Sequence, residues 1–207
     1  MPRTAAALRG ADNPGLRDHL VTVTERLIAE RRTDGLTVRG IAREARVASG
    51  VLYNYFADKE DLLAQGLLAH ITTVEQTLSG PPGPGEGSLE TNLVGYLRYL
   101  LELHERILPA FAGLLPQPKV LARFNAMPAA EKGGDLHQHL AAHLRGEQRM
   151  GRLGPQVDAD AAATLLIGAC YDLVLPRLFR PDMAGLQDVP DEYLADLVNT
   201  FLDTARP

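Results

Sequence analysis

Between Val47 and Phe56 the chain reads VASGVLYNYF, a run with more hydrogen-bonding chemistry than a short solvated helix needs. Val47 and Leu52 are the expected buried positions. They flank a strip bearing Ser49, Gly50, Val51, Tyr53, Asn54 and Tyr55. Tyrosine hydroxyls bond phosphate oxygens, an asparagine amide can pair with adenine edges, and a glycine lets backbone come close to a surface. Together these residues suit a surface made of phosphates and base edges. The competing reading is that Tyr53 and Tyr55 pack as half-buried aromatics, as Phe56 is expected to do. Lys59 follows at a helix start, where backbone N–H groups and a cation both favour phosphate.

Other reactive side chains are more scattered. His137, His139 and His143 share one helix, and His139 and His143 have the i, i+4 spacing of a metal pair. No thiolate or HExxH-type glutamate accompanies them, and Leu136, Leu140 and Leu144 already define the buried stripe, so no metal site is expected. Cys170, the single cysteine, sits in an apolar helix as a small core residue. There is no nucleotide loop, nucleophile elbow or paired carboxylate motif, so neither an enzyme nor a cofactor is expected.

The elements that must position the strip are helical. Thr37 caps a short helix whose apolar face is Val38, Ile41, Ala42 and Ala45. A second short helix, near 49–55, follows a tight turn, which makes a helix-turn-helix. Asp58 opens the next helix, with Asp61 three residues on as a variant capping box, and the pattern continues to about Ser79. Upstream, Asn13 and Pro14 start a helix carrying Leu16, Leu20, Val23, Leu27 and Ile28. Arg31 and Arg32 suit its last turn, Gly35 ends it, and the first twelve residues read as a flexible arm.

Downstream, GPPGPGEGS at 80–88 breaks the helical pattern. Helices are then expected at 93–108, 128–150, 159–178 (capped by Asp158) and 190–205, with prolines 109, 116, 118 and 128 chopping the stretch between the first two. No segment alternates with period two, so the fold expected is all-α, with nine or ten helices. The helix after Asp158 is apolar on nearly every side and must be covered all round, by this chain or by another. Its Gly168 and Ala169 would permit close helix approach.

Within 14–74 the sequence resembles the TetR family of transcriptional regulators. The resemblance rests on the helix start at Pro14, the IAREA segment Ile41 to Ala45, the run GVLYNYF from Gly50 to Phe56, and DKEDLL from Asp58 to Leu63. It implies an N-terminal helix-turn-helix DNA-binding domain (14–74) and a helical ligand-binding and dimerisation domain (75–207). On that resemblance Thr37 and Arg39 belong to the DNA-facing helix start. Ser49, Gly50 and Val51 form the leading turn of the recognition helix. Tyr53, Tyr55 and Lys59 contact phosphates, and Asn54 is a further base-reading candidate. Arg46 stands where the family usually has glycine, a departure of about 1 kcal/mol if the backbone is left-handed. Ala48 stands where Ser or Thr is usual, so a cap must come from elsewhere, such as Ser49.

The function expected is a homodimeric repressor, paired through its last two long helices on pseudo-palindromic double-stranded operator DNA. A mainly apolar small molecule would release it. Arg98, His104, Phe111, Phe124, His137 and Tyr171 are the candidate ligand contacts, with the proline-broken turns as gates. A regulator without a ligand, or an activator, is the alternative. The charge distribution agrees: residues 1–56 carry a net +3 and residues 57–207 a net −8, within an overall −5. With no signal-peptide pattern, and the longest apolar run (161–170) too short for a bilayer, a cytoplasmic location away from membranes is expected.

Overall fold

The computed structural model describes residues 14–30, 36–128, 135–179 and 189–205. Among them every regular element is helical: α1 (Pro14–Ala29), α2 (Val38–Glu44), a 3₁₀ helix (Ser49–Asn54), α3 (Lys59–Thr77), α4 (Leu89–Leu114), α5 (Pro118–Asn125), α6 (Leu136–Arg149), α7 (Ala159–Phe179) and α8 (Asp191–Ala205). The all-α expectation holds. α1 begins at Pro14, as expected; Asn13, Arg31, Arg32, Gly35 and the first twelve residues lie outside the described residues.

The chain forms two compact units. The first joins Met1–Thr73 to Pro109–Lys132, and the second joins Val74–Leu108 to Gly133–Pro207. A boundary drawn from sequence at 74/75 does not anticipate that 109–132 returns to the N-terminal unit. Hydrophobic periodicity says which face of a helix is buried, but not in which unit.

In the N-terminal unit, Leu16, Leu20, Val23 and Leu27 of α1 are buried at helical spacing, as are Leu62, Leu63 and Leu67 of α3. Gly66 lets α1 and α3 approach closely, because a Cβ there would lie 2.5 Å from Thr24 Cγ2. The Thr24 hydroxyl, itself buried, donates to the Leu20 carbonyl at 2.8 Å. Two expected caps form: the Thr37 hydroxyl accepts from Gly40 N–H at 3.0 Å, and Asp58 accepts from Asp61 N–H at 2.7 Å. Asp61 reaches back to Ala57 N–H at 3.0 Å, one residue beyond the usual box.

The C-terminal unit has its core among α4, α6, α7 and α8, including Leu93, Leu97, Leu100, Leu140, Leu144, Ala163, Leu166, Val174, Leu194 and Val198. Several boundaries differ from expectation. α4 starts at Leu89, where the Ser88 hydroxyl accepts from Thr91 N–H at 3.0 Å. It continues through Pro109 to Leu114. Proline removes one N–H but does not end a helix whose flanking turns are buried, so Pro109 makes no broken gate. Helix α6 begins only after Asp135, whose side chain accepts from His137 N–H at 2.9 Å, rather than at 128.

The 80–88 loop is fastened by polar groups inside this unit. The Asn92 amide donates to the carbonyls of Gly83 (2.7 Å) and Glu86 (3.1 Å). Gly85, at φ 89°, donates its N–H to the Glu147 carboxylate at 2.9 Å. Glu147 is fully buried beside Arg152, with Nε 2.9 Å from its second oxygen. Because the Asn92 amide nitrogen is spent on carbonyls, its oxygen must accept, so His143 Nε2 at 2.7 Å carries the proton. Burial lowers the His143 pKa, against an opposing pull from Glu147.

α7 revises one expectation. Counted as a helix, Ala159–Leu178 is long and apolar enough to cross a membrane, though only 28% of its apolar window is buried inside the chain. The shorter estimate stopped at Tyr171 and Asp172, which a helix-length window tolerates. Ala162, Ala163, Leu166 and Cys170 face inward, while Leu165, Tyr171 and Leu175, with Tyr193 of α8, are exposed.

Candidate nucleic-acid interface

Two short elements meet around one tight turn. α2 ends in a Schellman arrangement: Arg46 N–H donates to Arg43 at 3.2 Å and Val47 N–H to Ala42 at 2.9 Å. The residue in the left-handed position is Arg46, at φ 57°, the conformation its place in the turn predicts. The following element is a 3₁₀ helix rather than an α-helix, and its start at Ala48 has no side-chain cap. The Ser49 cap expected from sequence is therefore absent. A 3₁₀ helix, with three residues per turn, aligns side chains three positions apart along one edge.

Leu52 and Phe56 anchor this element in the core, whereas Val47 is only half-buried. The Arg17 guanidinium lies 5.5 Å from the Phe56 ring centroid. Tyr53 is 60% exposed, so the half-buried packing role fails for it. Asn54, Gly50, Arg39 and Thr37 are also exposed, while Ser49, Val51 and Tyr55 are partly so. A Cβ added at Gly50 would meet nothing within 4 Å, and its φ is not left-handed. Neither strain nor intramolecular packing calls for glycine there. Arg39 makes no ion pair among the described residues.

Lys59 opens α3, at the helix start where it is expected. Its Nζ donates to Gln117 Oε1 at 2.7 Å in a partly buried setting. Beside it the Arg123 guanidinium meets Asp58 Oδ2 at 2.5 Å. Gln117 and Arg123 were missed from sequence. The one local signal was the Pro116-Gln117-Pro118 run, which marks a stiff turn but names no partner.

The six candidate ligand contacts do not converge. Phe111 and Phe124 pack edge to face, centroids 5.6 Å apart, in the N-terminal unit. In the C-terminal unit Arg98 engages Asp191 and donates to the Val189 carbonyl at 2.9 Å. His137 sits 3.0 Å from both the Asp160 carbonyl and the Thr164 hydroxyl. Of the candidates in this unit, His104 and Tyr171 meet, with rings 4.6 Å apart. His104 is wholly buried, neither ring nitrogen has a well-formed partner, and burial pushes its pKa down to about 4 against a smaller pull from the Leu100 backbone. Two surface clefts lie elsewhere. One of about 780 Å³ in the N-terminal unit is lined by residues such as Arg17, Gln65 and Met127. One of about 450 Å³ in the C-terminal unit is lined by Pro82, Tyr99 and Glu102, with Arg98 the one candidate contact among its walls. No group of three or more potential metal ligands occurs among the described residues. Burial pushes the Cys170 thiol up to about 12, which leaves it inert.

Two short helices around a tight turn, with an exposed polar and aromatic strip on the second, define a helix-turn-helix of the kind that bacterial regulators use on DNA. Residues 20–65 match the family described as bacterial regulatory proteins, tetR family, so the N-terminal segment carries that family's helix-turn-helix. It is 36% identical over 62 residues to the HTH-type transcriptional regulator HbdR of Aromatoleum sp.. It is 38% identical over 50 residues to an HTH-type regulator of Haemophilus influenzae. Those stretches are 30% and 24% of this chain, and the chain spans 27% of the length of each relative. The fold extends further than the sequence likeness. A TetR-family regulator from Mesorhizobium loti superposes with TM-score 0.64 at 15% identity, covering 93% of this chain and 98% of that one. A regulator from Saccharomonospora viridis, solved in complex with choline, gives 0.59 at 18% identity, covering 94% and 100%.

Proposed function

We propose that the chain is a homodimeric repressor that binds a pseudo-palindromic operator through the strip 49–55 and leaves it when a small molecule binds the C-terminal unit. The observation that carries the DNA reading is the exposure of Tyr53, Asn54 and Gly50 on one short element, with Arg39 on the helix before it. Thr37, Ser49, Val51, Tyr55 and Lys59 complete the contact set. Tyr53, Tyr55 and Lys59 take phosphates, while Arg39 and Asn54 reach base edges. A regulator working on chromosomal DNA operates in the cytoplasm.

The dimer reading rests on α7 and α8. Their outer faces leave Leu165, Tyr171, Leu175 and Tyr193 exposed, and a Cβ at Gly168 would meet nothing within 4 Å. An apolar helix face of this kind is stable in water when a second copy covers it. The ligand reading is centred on His104 and Tyr171, a buried imidazole with unsatisfied nitrogens against a partly exposed ring. A mainly apolar ligand with one hydrogen-bonding group suits that pair. Arg98 and His137, in the same unit, are weaker candidates, whereas Phe111 and Phe124 belong to the N-terminal unit. Release requires the ligand to bind the DNA-incompetent arrangement more tightly than the competent one.

Selection from a random-sequence duplex library should return a two-fold-symmetric site. Arg39→Ala should weaken the selected site by about 1–3 kcal/mol and scrambled duplex by less. Enrichment of a site without symmetry would sink the dimer reading. Equal weakening on both duplexes would make Arg39 a phosphate contact and pass the reading role to the strip 49–54.

A further inference from the structure

The first turn of α3 is an awkward place to meet a phosphate. Lys59 stands among Asp58, Glu60 and Asp61, so its local field is acidic. Three features bear on this, two of them from 109–132, a segment far away in sequence that folds into the same unit. Asp61 is occupied within the turn by Ala57 N–H and the Gln65 amide at 2.9 Å, whereas Asp58 is paired with Arg123 of α5. Lys59 is held by Gln117, the residue before α5.

The chemistry of that partner matters. A glutamine oxygen takes one of the three ammonium hydrogens and leaves two donors and the full positive charge. A carboxylate in the same place would take the charge as well. The mount is stiff: Gln117 lies between Pro116 and Pro118, its N–H donates to Leu114 at 2.8 Å, and its carbonyl accepts from Val120 at 2.9 Å. A lysine normally surrenders rotamer freedom when it binds, and here that freedom is restricted beforehand.

We infer that Gln117 and Arg123 are positioning residues for phosphate contact: Gln117 orients the Lys59 ammonium without neutralising it, and Arg123 masks the Asp58 carboxylate. This rests on the reading of Lys59 as a phosphate contact. Because the contact is independent of sequence, a random-sequence 30-base-pair duplex is a sufficient probe, titrated with the full-length chain at several salt concentrations. Lys59→Ala should weaken binding and lower the salt slope by about 0.9. Gln117→Ala should weaken binding about fivefold with the slope unchanged, since the charge stays and only its ordering is lost. In the Lys59→Ala background the same change should do nothing. Gln117→Glu, nearly isosteric, should weaken binding more and lower the slope by about 0.9, with thermal stability equal to or above wild type. Arg123→Gln should weaken binding, and Asp58→Asn, which keeps the helix cap, should restore it.

If Lys59→Ala weakens binding while both Gln117 variants bind as wild type, or if Asp58→Asn fails to rescue Arg123→Gln, the positioning role is overturned. If Lys59→Ala leaves affinity and slope unchanged, the phosphate reading of Lys59 falls first and this inference with it.

Discussion

The two units of this chain differ in which groups they bury and which they expose. The N-terminal unit buries mostly aliphatic residues, Thr24 and His70 being its buried polar side chains, and sets Tyr53, Asn54 and Arg39 exposed on short, anchored elements. The C-terminal unit leaves Leu165, Leu175 and Tyr193 in solvent and draws polar groups inward, so that His104, His143, Asn92 and Glu147 are buried. Exposed hydrogen-bonding groups on a rigid mount suit a polar partner such as a nucleic acid. Exposed aliphatics above a core with buried polar groups suit an apolar partner outside and a responsive interior.

The largest effect expected from breaking this contrast is on the apolar side. Gly168→Glu places a carboxylate where the single chain offers nothing within 4 Å, so the isolated subunit should tolerate it. In a dimer covered across α7 the carboxylate would be buried without a partner, at a cost on the order of 4 kcal/mol, roughly a thousandfold in dissociation. Light scattering should move from about twice the 22.4 kDa chain mass to the single chain, and DNA affinity should fall with it. A wild-type monomer at micromolar concentration, or a variant that stays dimeric, would remove α7 from the interface.

The next effect tests the buried polar groups. The His104 pKa is lowered to about 4 by burial, so the folded state binds fewer protons than the unfolded state below about pH 6.5. The penalty is therefore absent above pH 6.5, grows as pH falls, and levels off below about pH 4. Its limit is about 3 kcal/mol. His104→Leu should flatten the stability profile across that window when melting is followed from pH 7 to pH 4. An unchanged acid slope would mean that other groups set it and that His104 is readily protonated in the fold.

The contrast also explains what sequence could supply. The helix-turn-helix was legible because its signals are local: Thr37 and Asp58 each act within a few residues. The strip 49–55 was legible because exposed tyrosine and asparagine are unusual on a solvated helix. By contrast, Lys59 and Gln117 are 58 residues apart, and nothing in either local pattern pairs them. The ligand candidates scattered for the same reason, since aromatic residues such as Phe111 and Phe124 satisfy one another before they line anything. Pro109 misled because its effect depends on whether tertiary packing holds the helix on both sides.

The smallest effect lies at the turn itself. Arg46 holds φ 57° at the position after α2 where glycine carries no Cβ penalty. Arg46→Gly should raise stability by about 0.5–1 kcal/mol, the steric relief being partly offset by glycine's greater freedom in the unfolded chain. Stability alone would favour glycine, so its absence asks for a compensating use of the arginine. Arg46 is exposed beside the strip 49–55, where a cation can meet a neighbouring phosphate. If it does, the more stable Arg46→Gly variant should bind duplex DNA more weakly, with a salt slope lower by about 0.9. Higher stability with unchanged DNA binding would leave the strain unused, and unchanged stability would show that the turn accepts arginine without cost.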